Sequence, residues 1–199
     1  LCCLELIPAF LNFPANVYLR NMVNKILILS VTVLFTLILN SCGSHDNTQP
    51  EGMARFTQDS GFKNSHDIPE PISISPRGEM ISFPTNDGHT AAAYVMRPAE
   101  VKPEKLLVFH EWWGLNDHIR LEAERLFDSL GIEVWALDLY DGKVAMDRDQ
   151  AGIIMKSRKQ ERLESIVTGA IQKMGPDARI ATIGWCFGGT WSLKASILA

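Results

Sequence analysis

One stretch, Ile183-Gly184-Trp185-Cys186-Phe187-Gly188-Gly189-Thr190, constrains this chain more than any other. The residues before it, Arg179–Ile183, form a short strand-like run, and Phe187–Ala199 after it reads as a helix. A Gly-x-Cys-x-Gly sequence at such a junction predicts a strained strand-to-helix turn with the cysteine exposed at its tip. Positions two before and two after the cysteine must be small, because the turn brings them into collision. The helix that starts there aims its N–H groups and positive end at the sulfur, which favours a thiolate and later an oxyanion. Taken alone the pattern fits a core cysteine in a glycine-rich turn equally well. The strand before it and the helix after it favour a nucleophile.

The preceding sequence supplies the setting. Pro69–Ser75 and Glu79–Phe83 read as short extended pieces, and Asn86-Asp87-Gly88-His89 before Thr90–Met96 is a hairpin signal. Lys105–His110 is an apolar strand run. Asp117–Leu130 carries apolar residues at helical spacing with Gly131 as its stop. Ile132–Leu139 is again strand-like, and Asp149–Met174 reads as helix broken near Ser157–Lys159. From Lys105 the order is strand, helix, strand, helix, strand, helix. Such alternation predicts an α/β fold, a doubly wound and mostly parallel sheet with an antiparallel N-terminal edge. Reactive groups in such sheets sit where strands end, and His110-Glu111, Asp138 and Cys186 fall there.

Charge excludes one class of partner. A net charge of −4 gives no basic face for nucleic acid. Lys156, Arg158, Lys159 and Arg162, interleaved with Glu161 and Glu164, read as the solvated side of a helix. The four cysteines, Cys2, Cys3, Cys42 and Cys186, fit neither a disulfide framework nor a zinc site. No ligand cluster implies a metal or an organic cofactor.

Near the N-terminus, Ile26–Leu39 is an uncharged, mostly apolar run of about 14 residues, short of the roughly 20 of a membrane span. With Met22 and Lys25 ahead of it, the run reads as a signal peptide over residues 22–41. Ser41-Cys42-Gly43 resembles the lipobox of bacterial lipoproteins, which makes Cys42 the expected lipidation site and membrane anchor, in the cell envelope. An uncleaved anchor helix with an incidental cysteine is the plainer reading. Residues 1–21 are expected to be non-native upstream sequence, with the start at Met22. Residues 42–68, rich in polar and turn-forming types, read as a tether, and residues 69–199 as a partial folded domain.

A second signal is His110-Glu111-Trp112-Trp113-Gly114-Leu115-Asn116-Asp117, a carboxylate at a strand end flanked by tryptophans. Together with Asp138-Leu139-Tyr140, Asn86-Asp87-Gly88-His89-Thr90 and the Cys186 turn, it resembles the dienelactone hydrolase family of α/β-hydrolases. The resemblance runs from about Ile72 to Ala199. It implies Cys186 as nucleophile and Glu111 as the carboxylate that contacts the thiol and helps form thiolate when substrate arrives. It also implies an oxyanion hole from the backbone N–H groups of Trp112 and Phe187, and a small-molecule ester or lactone as substrate. Trp112, Trp113 and Trp185 would then border the pocket, although core packing accounts for each as well. No motif fixes a substrate arginine, with Arg148 and Arg158 in the right region.

In α/β-hydrolases the acid and base follow the nucleophile in the chain. Phe187–Ala199 contains neither Asp nor His, and all five histidines precede Cys186. Either the sequence is a C-terminally truncated piece of a longer protein, or His110 is a substitute base. Without a base the 199-residue chain is expected to be nearly inactive, since general-base assistance is worth about 10²–10⁴-fold. Two functions remain in view: a thiol-dependent ester or lactone hydrolase of the carboxymethylenebutenolidase type, and a non-catalytic, lipid-anchored binding module on the same fold.

Overall fold

The computed structural model describes residues 55–57 and 59–199. The apolar run Ile26–Leu39 read as a signal peptide, Cys42 and residues 1–21 lie outside the described residues.

Strand β1 (Glu79–Pro84) pairs antiparallel with β2 (Thr90–Met96), joined by the Asp87-Gly88 turn. Gly88 sits at a φ of 79°, and the turn closes with Thr85 N–H donating to the His89 carbonyl at 2.9 Å. Strands β3 (Glu104–Phe109), β4 (Glu133–Leu137) and β5 (Arg179–Gly184) complete a sheet of order β1-β2-β4-β3-β5. β3 is parallel to both β4 and β5, whereas β2 meets β4 antiparallel. The antiparallel part is therefore the β1–β2 hairpin at the N-terminal edge, as the sequence predicts. Pro69–Ser75 joins no ladder, consistent with Pro69 and Pro71 having no N–H to give one.

Helix α1 (Ser60–Asn64) precedes the sheet; α2 (Asp117–Leu130), α3 (Arg148–Ser157), α4 (Gln160–Met174) and α5 (Phe187–Leu198) cover it. Their ends follow local chemistry. The Asn116 side chain accepts from Ile119 N–H at 3.1 Å, and Gly131 closes α2 at a φ of 61°. Arg158 is extended, so the helical run breaks there into α3 and α4.

Alternation along the strands splits the core in two. Ala91, Ala93, Val95, Leu107, Phe109, Trp135 and Leu137 face one layer with Leu163, Ile166, Trp191 and Ala195 of α4 and α5. Tyr94, Met96, Leu106, Val108, Val134 and Ala136 face the other, with Ile119 and Ala123 of α2. A sheet buried on both faces needs such near-continuous apolar strands.

Two expectations are corrected here. The segment read as a tether is docked on the sheet domain at its C-terminal end. Phe62 packs edge-on to Trp112 with centroids 5.1 Å apart, Lys63 pairs with Asp149 at 2.9 Å, and Arg148 Nε donates to the His66 carbonyl at 2.8 Å. An aromatic residue and a cation in a polar stretch found partners there. The basic residues of α3 and α4 are likewise not all solvated. Arg162 is 15% exposed and binds Asp87 and Asp141, tying the hairpin turn to the loop after β4.

Candidate active site

β5 carries the chain to Cys186, and α5 leads it away. Between them Cys186 adopts φ 52° and ψ −117°, one of two non-glycine residues with positive φ among those described. Such a conformation costs of order 1–3 kcal/mol and persists only where the surroundings enforce it. Two glycines make it possible. A Cβ on Gly184 would lie 2.3 Å from the Gly188 carbonyl oxygen, and one on Gly188 would lie 2.2 Å from that of Phe109. The end of β3 and the start of α5 thus touch through bare backbone. Hydrogen bonds from Gly188 N–H to the Trp185 carbonyl (2.8 Å) and from Gly189 N–H to that of Cys186 (3.0 Å) close the turn.

The sulfur is half-buried, and its titration reflects that. Burial pushes the Cys186 thiol up; the Phe187 N–H bonded to it opposes this, the Glu111 charge adds to the rise, and the Trp112 N–H opposes it. The sequence pointed to a helix end that favours thiolate. That pull is present, but burial outweighs it, so the resting sulfur is held as thiol. Both N–H groups assigned by resemblance to an oxyanion hole, those of Trp112 and Phe187, are directed at the sulfur.

Glu111 is near enough to the thiol for its charge to oppose ionisation. Among the described residues, the side chain within hydrogen-bonding distance of Sγ is instead His66, whose Nε2 is 3.4 Å away. No sequence signal marked His66, since it lies in the stretch read as tether. Its Nδ1 is 2.6 Å from the Phe62 carbonyl, and its ring rests 5.3 Å from that of Trp112.

His110 is excluded as a substitute base. It is fully buried; its Nε2 accepts from Leu139 N–H at 3.1 Å and its Nδ1 donates to the Glu111 carbonyl at 2.5 Å. Both nitrogens are spent joining the ends of β3 and β4, and burial lowers the pKa to about 4. Asp138 is structural too, accepting from Tyr140 N–H at 3.0 Å and Gly142 N–H at 2.6 Å. Burial pushes its carboxyl up. Trp113 belongs to the core; Trp112, equally buried, also borders His66, and Trp185 is only partly buried. Arg158 reaches the Tyr140 carbonyl at 3.4 Å, and Arg148 is engaged at the His66 carbonyl. Among the described residues, no group of three or more His, Cys, Asp or Glu is placed to hold a metal ion.

Comparison with known proteins gives the following similarities. The chain is 30% identical over 127 residues to a candidate carboxymethylenebutenolidase of Aquifex aeolicus (strain VF5), covering 58% of this chain and 54% of that protein. It is 31% identical over 129 residues to the protein usf of Aquifex pyrophilus, with the same shares, 58% and 54%. The chain therefore spans about half the length of the curated relatives it matches. Among solved structures, a dienelactone hydrolase-like promiscuous phosphotriesterase from metagenomic libraries aligns at 24% identity and a TM-score of 0.46, covering 59% of this chain and 53% of its own. The profile of the dienelactone hydrolase family matches residues 91–198, from β2 through the elbow at Cys186 to the last turn of α5, and the chain belongs to that family.

Proposed function

We propose that the protein is a hydrolase of carboxylic ester or lactone bonds that works through the thiol of Cys186. One observation carries the reading: a half-buried cysteine held at positive φ at a strand-to-helix elbow, with two backbone N–H groups aimed at its sulfur. In this account Sγ attacks the carbonyl carbon of a small ester or lactone. The N–H groups of Trp112 and Phe187 take the oxyanion, a contribution worth about 3 kcal/mol per donor in comparable sites. The tetrahedral species collapses to an acyl-thioester as the acyl C–O bond breaks and the substrate's alcohol oxygen departs with a proton, and water then attacks the thioester to release the acid and restore the thiol. Glu111 opposes ionisation of the resting thiol by its charge, so the sulfur stays protonated until a substrate is bound. The chemistry calls for no metal or organic cofactor.

The activity proposed is that of the whole protein. Export through the signal at residues 22–41 and lipid anchoring at Cys42 are proposed with it, supported by the sequence pattern alone.

The test is hydrolysis of an activated ester and of a butenolide before and after alkylation of Cys186. Loss of activity in step with alkylation supports the proposal. Undiminished hydrolysis by fully alkylated protein overturns it and leaves a binding role for the fold.

A further inference from the structure

Resting on Cys186 as the proposed nucleophile, we infer that residues 59–72 form a strap closed over the Cys186 thiol in the resting protein, and that an ester reaches the sulfur only when the strap swings off. The contact at the sulfur is the first ground. His66 Nε2 stands 3.4 Å from Sγ, and a carbonyl carbon must stand about 3–3.5 Å from the sulfur to be attacked. No carbonyl can take that place while the ring holds it. In α/β-hydrolases the base follows the nucleophile in the chain, so a ring delivered from ahead of the sheet is a cover and not the base. The cover extends to the neighbouring donor. His66 and Phe62 rest against Trp112 with centroids 5.3 and 5.1 Å away, and the Trp112 N–H is one of the pair directed at the sulfur.

The strap is pinned at a few points. Lys63 pairs with Asp149 at 2.9 Å, and Arg148 Nε donates to the His66 carbonyl at 2.8 Å, so α3 holds one end. His118 Nε2, on α2, lies 2.7 Å from the Glu70 carbonyl and holds the other. Within the strap, His66 Nδ1 lies 2.6 Å from the Phe62 carbonyl, and the two rings stack with centroids 4.3 Å apart, which keeps Nε2 turned to the sulfur. Little else secures the segment. Helix α1 has five residues, Pro69–Ser75 joins no ladder, and Ile68 is exposed. A segment with few buried contacts and no ladder opens at low cost, which is what a lid requires. The strap also lies ahead of residues 91–198, the stretch matched to the family, so it is no part of what that stretch supplies.

The experiment measures alkylation of Cys186 in the full chain by N-ethylmaleimide and by the bulkier fluorescein maleimide. Each rate is read at the Cys186 peptide by mass spectrometry and scaled to that of glutathione. The chains compared are the wild type, Phe62→Ala, Lys63→Glu, and Lys63→Glu combined with Asp149→Lys, each checked by circular dichroism. An opened strap admits the larger reagent preferentially. We expect Phe62→Ala to speed the bulky reagent about tenfold and Lys63→Glu about two- to fivefold, with smaller gains for N-ethylmaleimide. The charge-swapped pair should return close to the wild-type rate. Lys63 sits outside the core, so Lys63→Glu keeps the inference testable if Phe62→Ala fails to fold. Wild-type rates in the folded single variants overturn the inference. Equal gains with both reagents also overturn it, because a thiol that merely ionises more readily gives that result. So does a charge-swapped pair as fast as Lys63→Glu. Alkylation needs no turnover, so ester hydrolysis that survives loss of the Cys186 thiol would refute the proposed chemistry while leaving these rates unchanged.

Discussion

Replacing Gly188 by alanine tests the elbow where its geometry is tightest. The added Cβ would lie 2.2 Å from the Phe109 carbonyl oxygen and 2.4 Å from that of His110. Carbon and oxygen sit comfortably at about 3.3 Å, so the contact is short by about 1 Å. Both obstacles are backbone at the end of β3, which is paired with β4 on one side and β5 on the other. No side chain can swing away to relieve the clash. Overpacking usually costs 1–3 kcal/mol where side chains can adjust, so a loss of about 3 kcal/mol or more follows where they cannot. At roughly 2–4 °C per kcal/mol for a chain of this size, the melting temperature should fall by about 6–12 °C. Gly189→Ala is the internal control, because its Cβ would meet the Gly184 oxygen at 3.4 Å and nothing closer. Alanine's helix preference, up to about 1 kcal/mol, then leaves that variant near neutral or slightly stabilised. Thermal and denaturant unfolding of the two variants side by side decides the matter. Equal stability of Gly188→Ala and the wild type, or equal damage from both variants, would refute the packing argument.

Two further outcomes follow from the electrostatics. Glu111→Gln removes a negative charge that pushes the Cys186 thiol up, so iodoacetamide should alkylate Cys186 faster in that variant at neutral pH; an unchanged or slower rate contradicts the placement of Glu111. His110 is neutral when folded, with a pKa near 4 against the ordinary 6.5, whereas the unfolded chain takes up a proton as soon as pH drops below 6.5. Its contribution is present above pH 6.5 and is lost as pH falls towards 4, by about 3 kcal/mol in all. Urea midpoints should fall across that window, and His110→Asn should flatten the slope.

The sheet, the break between α3 and α4 and the elbow were legible because each writes a local signature. Near-continuous apolar runs mark strands buried on both faces, and Gly-x-Cys-x-Gly marks a turn that tolerates no side chain at two places. The placing of β2 beside β4 left no such trace, since strand order depends on contacts distant in sequence. Neither did the role of His110. At a strand end beside Glu111 it looks like a free base, and only the Leu139 N–H arriving from β4 shows that its ring is fully engaged. His66 was the least legible of all. It lies in a polar stretch without periodicity, 120 positions from the sulfur it faces, and only packing on Trp112 brings it there. The Arg162 cluster was missed for a similar reason, since its partners Asp87 and Asp141 come from separate loops.

The central claim is that the Cys186 sulfur forms the bond to the acyl group. The most direct measurement is acid-quench mass spectrometry of the whole protein mixed with excess p-nitrophenyl acetate, followed by peptide mapping. The account predicts a single acetyl adduct on the peptide containing Cys186, formed at the rate of the p-nitrophenol burst and released by hydroxylamine. Turnover of the ester with no adduct on Cys186, or an adduct on another side chain that forms at the burst rate, would contradict it.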